Sequence, residues 1–329
     1  MRVLVWHVHG SYATALVSGR HEYVVPVTPD RGPDGRGRAR TWDWPPSARE
    51  VSPRELRNEH LDAVVLQRPE ELALVRAWTG REPGGDLPAV YLEHNAPTGL
   101  PAQTVHLMAD QTRVPIVHVT HFNAVMWDNG RAPTRVVEHG VPDPGHRYTG
   151  EWESVAVAVN EPVRRGRVAG TDLVLALAVQ VPLEVYGMGM AALAELAVAA
   201  GVPDLAGRLH DDPPQAVLHA RLARHRAYLH PFRWTSLGLS LIEAMLLGMP
   251  VLALSTTAAP ESVPPAAGVL SCDPAVLAAT ARRWLGDPAE ARACGDAARA
   301  HALSRFSLDR FLADWDAVLD GVAAEGGSR

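Results

Sequence analysis

At 329 residues the chain is long enough for two domains of ordinary size, each able to bury its own core. It is 47% hydrophobic with a net charge of −6, and all 31 basic residues are arginines scattered without a basic tract. This balance argues against nucleic acid as the main partner, and no apolar run approaches the roughly 18 residues a membrane span requires.

Cys272 and Cys294 are the only cysteines, too few for a disulfide framework or a cysteine zinc site. The opening residues, Met1 to His7, already read as a strand, with no signal-peptide apolar core behind them. The expectation is a cytoplasmic protein.

Short β-branched runs alternate with Ala/Leu-rich segments, the pattern of parallel βαβ units. In the first half, strands are expected near 2–8, 21–27, 62–67, 88–93 and 115–120. The stretch from Asp30 to Pro53 is rich in Gly, Pro and Arg and holds Trp42 and Trp44. It reads as an irregular surface excursion of the kind that is often mobile.

Gly10 and Ser11 follow the first strand where a helix begins, and helix N-termini suit anions. His7 and His9 share one strand face, but no third ligand stands at a metal-binding spacing. Glu93, His94 and Asn95 end the fourth strand, and open α/β sheets bind ligands beyond the carboxyl ends of their strands. His118 reads as core, while His121 could line a ligand cleft.

After a strand near Arg135 and a Gly/Pro break, the second half restarts with strands near 154–159, 182–187, 226–230 and 251–255. Helices are expected over 171–180, 188–200, 213–224, 237–247, 273–285 and 288–303. In the last helix Ser307 can cap, and Leu308, Phe311, Leu312, Trp315, Val318 and Leu319 form a stripe at helical spacing. Asp314 and Asp316 mimic a metal-binding Asp-x-Asp pair. They lie within this helix, where residues two apart do not face each other.

The run from His230 to Leu254 is the most informative. From Leu237 to Leu247 it is apolar on nearly every side, with Glu243 as its single charge. A carboxylate in such surroundings is costly unless something donates hydrogen bonds to it, and ligand hydroxyls or an internal Arg could do so. Upstream, Arg164, Arg165 and Arg167 lead through Gly170 and Asp172 into a helix. They form either a phosphate-binding turn or a solvated basic one.

Pro231, Gly238, Leu239, Glu243, Ala244, Met245, Gly248, Pro250 and Val251 fall in register with the donor-binding signature of family 4 glycosyltransferases, which the segment resembles. Leu237 replaces a Phe, and Thr235 replaces the first Glu of the family's E-x7-E pair. The resemblance implies the GT-B fold, an α/β architecture of two Rossmann-like domains facing across a cleft, with a C-terminal helix crossing back to the first domain. The domains it implies are residues 1–142 on the acceptor side, 143–304 binding the nucleotide sugar, and the helix 305–322.

The resemblance further implies a retaining, metal-independent transferase that uses a nucleotide-diphosphate sugar and no cofactor. In that reading Arg164 and Arg167 hold the diphosphate with Gly170, Glu243 binds the ribose with Gly238 and Leu239 beside it, and His94 lies near the sugar. Gly10 and Ser11 line the site floor. Thr235 stands where a sugar contact would be, so the donor sugar could be a deoxy or otherwise unusual one. Glu261 survives from the family's Gly-Gly-x-Pro-Glu loop, whose glycines Thr256, Thr257 and Ala258 do not supply.

The acceptor and the donor base stay open at this level. With no strongly basic amphipathic helix in the first domain, membrane contact is at most peripheral. Two other readings also remain: a nucleotide-sugar epimerase or hydrolase on the same fold, and a non-catalytic nucleotide-sugar-binding partner.

Overall fold

The computed structural model describes residues 1–40 and 42–326. The chain forms two compact units. One comprises Met1–Pro142 together with the segment from Leu308 onward, and the other comprises Asp143–Ser307.

The first unit is built on a seven-stranded, all-parallel sheet. Its strands are β1 (Arg2–Val5), β2 (Glu22–Pro26), β3 (Ala48–Val51), β4 (Ala63–Leu66), β5 (Ala89–Glu93), β6 (Ile116–His118) and β7 (Thr134–Val136). The order β3-β2-β1-β4-β5-β6-β7 reverses direction at β1, which places the crevice of an open α/β sheet beyond the carboxyl ends of β1 and β4. Ala63–Leu66 is buried throughout, as expected of a central strand covered on both faces.

The terminal helix, Leu308–Gly326, packs into this first unit. Phe311, Trp315 and Leu319 are almost fully buried in the core around β1 and the helix Gly10–Val17. Each buried side chain of this size contributes about 1.5–3 kcal/mol. Gly140 makes the close approach possible, since a Cβ there would lie 2.2 Å from the Phe311 Cβ. The Trp315 indole N–H donates to the Tyr12 hydroxyl at 3.0 Å, and Arg310 donates to the carbonyls of Glu138 and His139. Asp314 pairs with Arg310, and Asp316 pairs with Arg20 and His21.

The second unit carries a six-stranded parallel sheet of β8 (Trp152–Ala158), β9 (Leu183–Gly187), β10 (Leu209–Asp211), β11 (His225–His230), β12 (Val251–Ala253) and β13 (Gly268–Leu270). Its order is β10-β9-β8-β11-β12-β13. The expected helices appear as Thr171–Ala178, Met190–Ala199, Gln215–Leu222, Leu239–Leu247, Pro274–Gly286 and Pro288–Arg305.

Three strands are absent from the sequence reading: β3, β10 and β13. Each has three or four residues and exists through its parallel pairing with a neighbouring strand rather than through any local pattern.

The described residues of the Asp30–Pro53 stretch are irregular up to β3, as the sequence reading has it, but the stretch is held in place. It contains β3, and several of its residues are tied to the rest of the first unit by side chains. The Trp6 indole donates to the Asp34 carbonyl at 2.9 Å and the Trp44 indole to the Thr14 hydroxyl at 2.9 Å. Arg31 grips Glu50 through two hydrogen bonds of 2.9 Å. Tryptophan N–H groups seek acceptors when buried, so these residues anchor a segment whose Gly and Pro content looked irregular.

Candidate functional site

In the second unit, three loops converge at the carboxyl ends of β8, β11 and β12. Val168 accepts hydrogen bonds through its carbonyl from the amides of Arg233 and Trp234, at 3.0 and 3.4 Å. The Thr256 hydroxyl donates to the Phe232 carbonyl at 2.8 Å, and the Ala258 amide to the Ser236 carbonyl at 3.4 Å. Gly170 is needed for this meeting: its φ is +77°, and a Cβ would lie 2.0 Å from the Pro231 carbonyl oxygen.

Gly238 ends the middle loop and begins the helix Leu239–Leu247, which no side chain caps. A Cβ at Gly238 would meet the His230 ring at 2.6 Å. His230 is 3% exposed, and burial pushes its imidazole down to about 3. Its Nδ1 has no hydrogen-bond partner among the described residues.

Glu243 is buried one turn into that helix. Its partners are an amide and an imidazole, not the arginine that the sequence left possible. Gln215 donates from Nε2 to Glu243 Oε1 at 3.0 Å, and the same amide reaches His219 Nε2 at 2.8 Å. Glu243 Oε2 stands 3.4 Å from His219 Nε2. That contact is long for a charge-assisted hydrogen bond, which leaves Oε2 with acceptor capacity. Both partners come from the helix Gln215–Leu222, and nothing in the sequence spacing marks them.

The three arginines at the end of β8 have different surroundings. The Arg164 and Arg167 side chains are 72% and 75% exposed. Arg164 has a 3.8 Å contact to Glu161, and Arg167 a 2.6 Å pair with Asp172. Arg233, which the sequence reading did not single out, also grips Asp172 with both terminal nitrogens. Burial alone would raise the Asp172 carboxyl, but the Arg233 hydrogen bonds and the charges of Arg233 and Arg167 hold it below its usual range.

Arg165 is the inward one. Its guanidinium lies 5.0 Å from the centre of the Phe232 ring and has no carboxylate partner among the described residues. Burial, and then the Arg164 charge, act against its cation. Its position within an Arg-Arg pair is visible in the sequence, but its orientation is not.

The remaining loop, from Thr256 to Glu261, keeps a glycine-like backbone without a glycine. Thr257 has φ +54°, the left-handed region that a β-branched residue rarely adopts. Glu261 is exposed, and its carbonyl accepts from Arg305. Thr235 is half-buried between Trp234 and Ser236.

In the first unit, His94 meets His9 and Tyr12 edge-on, with ring centres 4.3 and 4.7 Å apart. Burial, followed by the charges of His9 and His139, holds His94 well below the usual histidine range. Gly10 and Ser11 sit half-buried at the start of the helix Gly10–Val17. A Cβ at Gly10 would only touch Trp42, at 3.4 Å, so the glycine is not sterically required there. His118 is core, its Nε2 donating to Asn129 Oδ1 at 2.9 Å, and His121 is exposed. Among the described residues, no cluster of three His, Cys, Asp or Glu side chains is arranged to hold a metal ion. No helix there is long and apolar enough to cross a membrane.

Two parallel Rossmann-like sheets, with the terminal helix returned to the first, define the GT-B fold. Residues 171–287 match the family described as glycosyl transferases group 1, so the second unit carries a domain of that family. No curated protein matches the chain by sequence.

Among solved structures, the chain is similar to sucrose-phosphate synthase from Thermosynechococcus elongatus, at 14% identity and a TM-score of 0.73. The match covers 98% of this chain and 99% of that one. It is also similar to HepE from Anabaena, solved in complex with UDP, at 14% identity and a TM-score of 0.68, covering 98% and 100%. A third is WaaG, a glycosyltransferase involved in lipopolysaccharide biosynthesis, at 13% identity and a TM-score of 0.67, covering 98% and 99%.

Proposed function

We propose that this protein is a glycosyltransferase that takes a sugar from a nucleotide-diphosphate donor, with retention of configuration and without a metal ion. The observation that carries the reading is Arg165. A cation held partly buried beside another cation, without an acid to neutralise it, gains most from an anionic ligand. The diphosphate of a nucleotide sugar is such a ligand, and Glu243 offers an acceptor for ribose hydroxyls. The group 1 domain match over these same residues adds support. So does HepE, which has been solved with UDP and with UDP-glucose.

In this mechanism Arg165, with Arg164 beside it, stabilises the charge that grows on the leaving diphosphate. Preorganised charge of this kind is usually the largest single catalytic term. A diphosphate oxygen takes the acceptor proton, so the protein's task is mainly placement. His94 accepts a hydrogen bond from a substrate hydroxyl.

The test is calorimetry with UDP, GDP, ADP and dTDP, on the parent and on Glu243→Ala. Micromolar binding of one nucleotide, lost in the variant, is the expected result and names the donor class for transfer assays. No binding to any of the four would sink the reading. Binding without turnover across an acceptor panel would instead favour a non-catalytic partner, the reading that Thr235 in place of an acidic residue keeps alive.

A further inference from the structure

The first unit holds a cavity that the donor chemistry does not use. It measures about 450 Å³ and is lined by His7, Asp30, Arg31, Arg36, Arg38 and Arg40. Four arginines from one ten-residue stretch face a single space at the carboxyl ends of β1 and β2.

Their support is uneven in an informative way. Arg31 is clamped to Glu50, whose Oε1 also accepts the Arg38 amide at 2.8 Å, and the Arg38 guanidinium donates to the Trp44 carbonyl. Arg36 and Arg40 are exposed and have no carboxylate partner among the described residues. Of the nearby acids, Asp30 lines the cavity with the arginines and Asp34 turns to Arg68. Asp30 is held by the Thr28 hydroxyl and the Gly32 amide, and Asp34 pairs with Arg68 at 3.3 Å.

The cavity wall is fixed rather than loose. His7 Nδ1 donates to the Gly37 carbonyl at 3.1 Å, and Arg36 bridges to Val27 through its backbone. Burial first, and the Arg36 charge among the lesser causes, keeps both His7 and His9 below the ordinary histidine range. The field in this corner is therefore positive without help from the imidazoles. Guanidinium groups present forked donors that match the oxygens of phosphate and carboxylate.

We propose that this arginine-lined cavity binds the phosphate or carboxylate of an anionic acceptor. The word acceptor rests on the glycosyltransferase reading above, while the anion site does not. Arg36 and Arg40 supply the exposed grip, and Arg31 and Arg38 form the fixed wall. A neutral sugar would leave Arg36 and Arg40 without an anion to pair with, so the cavity also selects against it.

The experiment is calorimetry at low salt with glucose 6-phosphate, glucuronic acid, inorganic phosphate and glucose. It is run on the parent, on Arg36→Glu/Arg40→Glu, and on the milder Arg36→Gln/Arg40→Gln, with UDP as a control. We expect at least one anionic probe to bind the parent tenfold or more tighter than glucose. Charge reversal should abolish that preference and the glutamine pair should weaken it about tenfold, with UDP binding unchanged. The phosphate and carboxylate probes separate the two sources of the anion.

Equal binding of all probes by the parent, no binding of any anionic probe, or a preference untouched by charge reversal would each overturn the proposal. If the parent binds an anionic probe but no nucleotide, the donor reading fails and the anion site stands.

Discussion

Gln67 donates from its amide nitrogen to the Trp6 carbonyl at 2.8 Å, so its Oε1 faces His94 Nε2, also at 2.8 Å. An amide oxygen can only accept, and His94 therefore carries its proton on Nε2 and leaves Nδ1 as an acceptor. Gln67 is itself held in place, its backbone amide donating to the buried Glu71 at 2.7 Å. Replacing Gln67 with Glu sets a carboxylate against the ring, which favours the imidazolium. The His94 titration seen by NMR should move upward by about one unit or more in Gln67→Glu. An unmoved titration would show that the pair does not control the proton.

Arg165 should matter to nucleotide diphosphates more than its neighbours do. In Arg165→Ala, UDP or the preferred diphosphate should bind about ten- to a hundredfold more weakly, the worth of a charge-assisted contact. Arg167→Ala, already paired with Asp172, should cost less than threefold (under about 0.7 kcal/mol). Calorimetry on both variants checks this, and equal losses would move the phosphate site outward.

Gly170→Ala should destabilise the protein by about 2 kcal/mol or more, because both the left-handed φ and the approach to Pro231 oppose a Cβ. Urea denaturation measures the cost. The opposite change, Thr257→Gly, relieves a strained φ of +54° and should raise stability by up to about 1 kcal/mol. A loss of stability in Thr257→Gly would mean that the hydroxyl or methyl group makes up for the strain.

Acid should destabilise the fold in a defined window. Burial holds His230 and His225 down to about 3, and His118 and His139 to about 4. The unfolded chain takes up these protons near pH 6.5, while the folded chain resists until much lower pH. The stability is therefore fully present above pH 6.5 and is lost as pH falls from there towards 4. Each histidine contributes a slope of up to about 1.4 kcal/mol per pH unit. Thermal melts from pH 7.5 to 4.5 check the sum, and His225→Gln should flatten the profile.

Local patterning along the sequence determined the alternating elements, the terminal helix and the register of the helix that bears Glu243. These are legible because apolar spacing at 3.6 residues and short β-branched runs belong to contiguous segments. The stripe of Phe311, Trp315 and Leu319 and the isolated charge at Glu243 needed no partner to be seen. The short strands β3, β10 and β13 did need one, since three or four residues carry no clear period of their own.

Only the tertiary structure decided which of three neighbouring arginines turns inward, and that Gln215 and His219 meet Glu243. It also turned an irregular run of Gly, Pro and Arg into the ordered wall of a cationic cavity. The physical reason is the same in each case. Orientation and pairing depend on what distant segments place within a few ångströms, and spacing along the chain does not encode that distance.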